Sequence, residues 1–400
     1  MKNIILTLLL VAFVFSCSFA QNQNISKSNN NGVVTISIKD RKQKLDLKTK
    51  GEVVFTEDER GIKSLSPNGS ISYKKASNKL IISPEKDGSL LYVINGTKKS
   101  TPNTKDEVLI AECVQWMINM GINAEVRVEK VYNTAGYEGV LREVERFENE
   151  NVKSTYLAAL GSKQSLSEDE MIAFLKNADS QLPSDYYKSE LLNSIQGNYL
   201  KSEVTADAYF KTVENLISDY YQADTLERLL KQSLTEKQSE QVLAIVNSME
   251  SDYYKTEIMK NLLSQSNISD SQFEQYINIT TSMKSDYYQS EILTSLLKNS
   301  SLDEKRYSRI LVGIQHIKSS YYQAVVLQNL INSKEEDIEE WSQLIAYTTK
   351  IDSDYYKSEV LKRIASSKPT SNSLKKEFME AAKTIDSDYY YDITIRTMKD

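Results

Sequence analysis

From residue 184 to residue 400, apolar and polar positions recur with a long, even period. The motif has the form Ser-Asp-Tyr-Tyr-(Lys/Gln)-Ser-Glu followed by two aliphatic residues. Its first tyrosine falls at Tyr186, Tyr220, Tyr253, Tyr287, Tyr321, Tyr355 and Tyr389, at intervals of 34, 33, 34, 34, 34 and 34 residues. Such self-similarity is the mark of a stacked repeat. Apolar residues lie at the second tyrosine and four, five, eight and nine positions beyond it, as in Tyr288, Ile292, Leu293, Leu296 and Leu297. That is helical spacing. Ser285 or Asp286 is placed to accept hydrogen bonds from the open first turn, where a carboxylate also suits the helix dipole. Further columns about 20, 23, 24, 27 and 30 residues after the first tyrosine predict a second helix, as in Phe273, Tyr276, Ile277, Thr280 and Met283. The same columns hold Tyr307, Ile310, Leu311, Ile314 and Ile317, then Trp341, Leu344, Ile345, Thr348 and Ile351. Each repeat is therefore a helical hairpin, and only stacking against neighbours closes its core.

Weaker copies extend upstream. Val140, Leu141, Val144 and Phe147 fit a second helix, Val152, Tyr156, Leu157 and Leu160 the next first helix, and Ile172, Leu175 and Leu182 its partner. The expected fold is mainly α, an αα-hairpin solenoid over 122–400. Its repeats are degenerate to about residue 183 and regular from 184, ending on an unpaired helix in which Tyr391 and Asp392 replace the usual pair.

Residues 32–101 carry a different pattern. Period-2 alternation in Val34-Ile36-Ile38, and short β-rich runs at Val53 to Phe55, Ser70 to Tyr73, Leu80 to Ser83 and Leu90 to Ile94, predict five or six antiparallel strands. Pro67-Asn68-Gly69, Asp87-Gly88 and Asn95-Gly96 supply the turns. A connecting helix is expected within 104–121, from about Asp106 to Met120. Its face of Leu109, Ile110, Cys113, Val114, Met117 and Ile118 would cover the sheet or the open end of the solenoid. Cys113 belongs to that face and reads as a buried structural thiol.

Composition fits long helices with few turns: 12 Gly, 5 Pro and 40% apolar residues in 400. Residues 1–20 have the form of a signal peptide. Lys2 is the positive start, Ile4 to Phe15 the apolar stretch, and Ser18-Phe19-Ala20 the cleavage site before Gln21. Residues 21–31, rich in Asn, Gln and Ser, read as a flexible tether. Cys17 leaves a lipoprotein open, because Val14-Phe15-Ser16-Cys17 loosely matches a lipobox, although Phe15 fits it poorly. The expected location is periplasmic or secreted, with no transmembrane segment in the mature chain. After cleavage Cys113 is the sole cysteine, so no intrachain disulfide is expected. A net charge of −6 argues against a nucleic-acid partner.

Gly51-Glu52-Val53-Val54-Phe55, Ser64-Leu65-Ser66-Pro67-Asn68-Gly69, Val114-Gln115-Trp116 and Gly121-Ile122-Asn123-Ala124-Glu125-Val126-Arg127-Val128, with the motif copies, resemble a family of bacterial extracytoplasmic repeat proteins. The resemblance covers most of the mature chain. Similar segments also occur attached to membrane peptidases of the β-lactam-sensor type, which implies a sensing or docking role. The chain carries no such peptidase, and the family supplies no catalytic residues.

Catalytic patterns are weak. His316 is the one histidine, which leaves Ser-His-Asp triads and multi-His zinc sites without support. Ser72-x-x-Lys75 and Ser373-x-x-Lys376 meet a minimal Ser-Lys pattern, but Ser72 lies on an expected strand and Ser373 in an expected loop beside Pro369. Asp352-x-Asp354 and Asp386-x-Asp388 lack the Gly and Glu of a calcium loop, Lys357 and Arg363 standing there in the first case. Helix capping accounts for these aspartates better. Gly-rich phosphate loops are absent, and no cofactor or metal is expected.

The tyrosine pairs hold the functional interest. Neighbouring helical positions point about 100° apart, so the two members differ in role. The second lies on the apolar stripe. The first, followed four residues on by Glu190, Asp224, Glu257, Glu291 or Glu359, lies on a polar or boundary face. Two readings stand: an internal ladder with bonded hydroxyls, or an exposed aromatic and acidic stripe suited to an extended peptide or glycan. The expected function is a non-catalytic exported binding or scaffold protein whose partner is a protein, a peptide or a glycan of the envelope. The alternative is a sensory module working with a separate membrane peptidase or anti-sigma system. A hydrolase would need a cleft and charge relay that the sequence does not display.

Overall fold

A computed structural model describes residues 24–30, 33–39, 43–49, 53–162, 166–195, 197, 199–265, 268–332, 338–367 and 371–399. The expected leader and cleavage site, with Cys17, lie outside these residues. The chain forms two compact units that divide after Arg127.

In the first unit, β1 (Asn24–Asn30), β2 (Val33–Lys39), β3 (Gln43–Thr49), β4 (Val54–Phe55), β5 (Ile62–Ser64), β6 (Ser70–Lys75), β7 (Asn78–Pro84), β8 (Leu90–Ile94) and β9 (Thr97–Lys99) make two antiparallel sheets. Seven strands run β1-β2-β3-β6-β7-β8-β9, and β4 pairs with β5. Residues 24–30, assigned on composition to a tether, are therefore a strand laddered along β2. β3 was not expected either. Its two leucines are set among Gln, Lys and Asp, residues of low strand propensity, yet Leu45 and Leu47 stand opposite Tyr73 and Ile71 and are fully buried. Asn95 and Gly96 both have positive φ (49° and 86°), the geometry of a type I′ hairpin, and they join β8 to β9.

Helix α1 (Thr104–Asn119) covers this sheet. Asn103 and Asp106 form a reciprocal capping box at its start, and all six expected apolar residues are buried. Trp116 meets Tyr73 of β6 with ring centroids 5.7 Å apart. Lys75, half of a proposed Ser-Lys pair, is tied to Glu112 at 3.0 Å. Cys113 is wholly inaccessible, and burial pushes its thiol well above the usual range. A thiol reagent is accordingly expected to leave the native protein unlabelled and to react on unfolding, which a mass-resolved alkylation time course would show.

The unit boundary falls six residues beyond the expected 121/122 because the first turn of α2 (Ala124–Glu145) is held by the first unit. Arg127 forms a two-pronged ion pair with Glu59 at 2.9 and 2.8 Å, and the Asn123 amide donates to the Val53 carbonyl. Within α2, Gly136 takes φ 67°, ψ −170°, a conformation open to glycine, and breaks the helix into two.

The second unit is the hairpin solenoid. After α2 come α3 (Glu150–Gly161), α4 (Glu168–Gln181), α5 (Asp185–Ser194), α6 (Glu203–Glu214), α7 (Asp219–Leu229), α8 (Glu236–Ser248), α9 (Asp252–Leu263) and α10 (Asp270–Ser282). The stack continues with α11 (Asp286–Asn299), α12 (Glu304–His316), α13 (Ser320–Asn332), α14 (Ile338–Thr348), α15 (Asp354–Ser366), α16 (Asn372–Ala382) and α17 (Asp388–Lys399). Odd-numbered helices from α3 pack on one another in sequence to α17, and even-numbered ones form a second layer. Every second-helix column predicted for the copies at Tyr253, Tyr287 and Tyr321 is buried. Of the residues expected in α4 and at its end, Leu175 and Leu182 are buried, Ile172 is only half-buried, and Met171 and Phe174 complete the inward face.

Packing between layers is tight enough to dictate a glycine. A Cβ on Gly313 of α12 would lie 2.8 Å from the Leu293 Cδ2 of α11. Gly313→Ala is expected to lose about 1–3 kcal/mol to overpacking despite alanine's better helix propensity. A urea titration showing unchanged or greater stability would contradict this.

Candidate functional site

The motif aspartate does not cap its own helix. Ser285 makes no side-chain cap, and Asp286 Oδ2 instead accepts from the Ser319 N–H of the next repeat at 2.7 Å. Asp185 accepts from the Ile217 and Ser218 N–H groups (2.9 and 2.7 Å), Asp219 from Glu250 and Ser251 (2.8 and 2.7 Å), and Asp252 from Lys284 and Ser285 (2.8 and 2.8 Å). Asp354 accepts from Ser387 at 2.9 Å, and Glu150 of the degenerate repeat from Ser184 at 3.0 Å. In the copy at Tyr321 a serine replaces the aspartate, and Ser320 Oγ accepts from Ser353 at 3.3 Å. Each carboxylate is thus a strut holding the start of the next first helix, where backbone N–H groups lack intrahelical partners.

The Lys/Gln position is a second device that the sequence did not reveal. These side chains are buried although polar. Gln222, Gln289 and Gln323 donate through Nε2 to the carbonyls of Leu216, Met283 and Ile317, at 2.9, 2.8 and 2.7 Å. Those carbonyls follow the last turns of α6, α10 and α12, where acceptors are otherwise unmatched. Lysine does the same work at Lys357, whose Nζ donates to the Thr384 carbonyl at 2.8 Å. Lys188 Nζ pairs with Asp179 at 2.8 Å. Glutamine and lysine interchange here because both present long-reach N–H donors.

Struts and plugs fix the tyrosine pairs in register. The first tyrosine of each pair meets the second of its own pair, then the second of the next repeat. Centroids are 4.9–6.3 Å apart and planes are inclined by 59–73° along the whole run from Tyr187 to Tyr389. Edge-to-face geometry of this kind is worth about 0.5–1.5 kcal/mol per pair beyond area burial. The second tyrosines, expected in the core, are only half-buried. They sit at the helix start, as Tyr254 does between Tyr253 at 5.1 Å and Tyr220 at 6.2 Å.

The first tyrosines combine features of both readings. Their rings form the ladder, yet Tyr220, Tyr253, Tyr287, Tyr321, Tyr355 and Tyr389 remain between 45% and 67% exposed. Within the described residues, none of these six hydroxyls has a partner in the protein. Tyr186, at the first regular copy, is half-buried. Burial, followed by the Glu190 and Tyr221 charges, raises its phenol above the ordinary value.

The acidic companions are partly engaged in joining repeats. Glu291 of α11 meets Lys260 of α9 at 2.9 Å, Asp224 accepts from Asn193 at 3.0 Å, and Arg228 lies 4.0 Å from Glu190. Glu359 pairs with Lys362 on its own helix at 2.6 Å, and Glu257 adds a favourable charge near Lys260. Between the copies at Tyr220 and Tyr253 the edge opens into a groove of ≈ 520 Å³, lined by Glu214, Asp219, Tyr220, Glu250, Ser251 and Tyr254, among others.

The other candidates remain separate from this edge. His316 is exposed at the end of α12. Ser373 is in the first turn of α16, not in a loop, and donates to Glu377 at 3.0 Å; Ser72 lies on β6. Among the described residues, no group of three or more His, Cys, Asp or Glu side chains is placed to hold a metal ion, and no helix is long and apolar enough to cross a membrane.

No protein-family profile matches the chain, and no curated protein matches it. One solved structure, described as "Computational Design of Self-Assembling Cyclic Protein Homooligomers", is 10% identical over 71% of this chain and 93% of its own, with a TM-score of 0.13. That superposition is too poor to bear on fold or assembly.

Proposed function

We propose that this chain is an exported, non-catalytic scaffold of the cell envelope that holds a protein or peptide partner along the tyrosine edge of its solenoid. The observation that carries the reading is the exposure of one ring per repeat from Tyr220 to Tyr389, held in register by struts and ring contacts. Large rings with few rotatable bonds lose little entropy on binding, and tyrosine is enriched where binding energy concentrates. Fixing such rings before a partner arrives lowers the cost of association further. The leader supports export, and the resemblance to extracytoplasmic repeat proteins supports the envelope as the place of action.

A photo-crosslinking residue placed at Tyr253, Tyr287 or Tyr321 in intact envelopes is expected to trap the same partner from all three positions. The same residue at Ser308, exposed on the even-numbered layer, is expected to trap none of it. Trapping from Ser308 alone, or equal trapping from all four positions, would overturn the reading.

A further inference from the structure

We infer that the occupant of the tyrosine edge is a cationic polypeptide segment in the polyproline II conformation, laid along the solenoid with one three-residue turn per repeat. This rests on the scaffold reading above and adds the chemistry of the partner.

Charge comes first. Every copy except that at Tyr321 places two carboxylates within its first seven residues, as Asp219 and Asp224 or Asp252 and Glu257 do. The lysines in the same stretches, Lys188, Lys255 and Lys357, are buried. Arg228, Lys260 and Lys362 offset part of this charge through Glu190, Asp224, Glu291 and Glu359, yet the motif carboxylates outnumber these cations. The edge is therefore net acidic as well as aromatic, and a guanidinium or ammonium group is attracted both to carboxylates and to ring faces. In the groove between two copies, Glu250 stands with Tyr220 and Tyr254 around a space that can receive one long basic side chain.

Spacing comes next. Stacked helices lie about 8–10 Å apart. Polyproline II rises about 3.1 Å per residue with three residues per turn, so equivalent side chains recur about every 9 Å, in step with the repeats. A β-strand presents like-facing side chains about every 7 Å and falls out of step within two repeats. Hydrogen bonding agrees with this choice. Polyproline II leaves its backbone carbonyls without internal partners, and the six exposed first-position hydroxyls are donors without partners among the described residues. Aromatic-lined surfaces that dock proline-rich segments use the same combination.

Three fluorescein-labelled peptides, six triplets each of Pro-Pro-Arg, Gly-Ser-Arg and Pro-Pro-Glu, would be titrated against the mature chain at low and at physiological salt. The Pro-Pro-Arg peptide is expected to bind at least tenfold more tightly than the Gly-Ser-Arg peptide, and Pro-Pro-Glu not to bind. Tyr253→Ala and Tyr287→Ala together are expected to cost tenfold or more. Glu250→Lys, which leaves the ladder intact, is expected to cost about threefold and to flatten the salt dependence. Circular dichroism would confirm that each variant is folded. Equal binding of the two arginine peptides would overturn the polyproline geometry and leave the scaffold reading standing. Binding of an envelope oligosaccharide but of no peptide would overturn the partner class. Binding indifferent to both Tyr→Ala and Glu250→Lys in folded protein would remove this inference and the tyrosine edge with it.

Discussion

Replacing Asp252 and Asp286 together by alanine is expected to destabilise the solenoid by about 4 kcal/mol and to broaden its unfolding transition. Hydrogen bonds to a charged acceptor contribute about 1.5–3 kcal/mol each, less where water can substitute. Asp252 accepts two such bonds and Asp286 one, all to half-buried or exposed N–H groups, so about 2 kcal/mol per carboxylate is a reasonable expectation. Both struts flank the same hairpin, α11 with α12, so the double variant weakens its attachment on both sides. In a quasi-one-dimensional array, stability is a sum of repeat and interface contributions, and a weakened interface is where cooperativity breaks. Asn at either position retains an acceptor oxygen and is expected to lose about half as much. Ser320→Asp exchanges the long hydroxyl contact of the copy at Tyr321 for a carboxylate strut and is expected to gain about 1 kcal/mol. Urea titrations followed by circular dichroism would measure all of these. A loss below about 0.5 kcal/mol in each single alanine variant would mean that the struts follow the stacking instead of fixing it.

The strut explains why part of this architecture was legible in the sequence and part was not. Columns such as Phe273, Tyr276 and Ile277 were visible because burial repeats with the helix, and the structure buries each of them. The role of Asp286 was not visible, since capping rules look within three residues and its acceptor geometry is completed 33 residues away. Gln289 was hidden for a similar reason: a polar side chain in a polar-looking position gives no sign that it is buried on a carbonyl. At the tyrosine edge, spacing separated the two ring positions correctly into different environments. It could not show that the second ring is half-buried at the helix start, because periodicity gives direction around a helix and not distance from its end. The strand Gln43–Thr49 escaped for want of composition, since its pairing with β2 and β6 overrides the weak propensity of its residues.

Excision of a single hairpin is expected to abolish folding altogether, the largest effect the architecture allows. A peptide of residues 286–317 contains α11 and α12 with Ile292, Leu293, Leu296, Tyr307, Ile310 and Ile314, all fully buried in the array. That burial has two sources. Contacts between α11 and α12 survive excision, whereas those of α11 with α9 and α13, and of α12 with α10, do not. A chain this short without disulfide or metal rarely excludes enough surface to offset roughly 1–2 kcal/mol of backbone entropy per ordered residue. The strut from Asp252 and the neighbouring rings Tyr253 and Tyr322 are removed as well. The peptide is therefore expected to show a weak helical signal that declines gradually with temperature. A fragment spanning residues 252–366, which restores neighbours on both sides, is expected to melt in a sigmoidal transition. Cooperative melting of the lone hairpin would place its stability within the repeat and not between repeats, and the solenoid would then be a string of independent units.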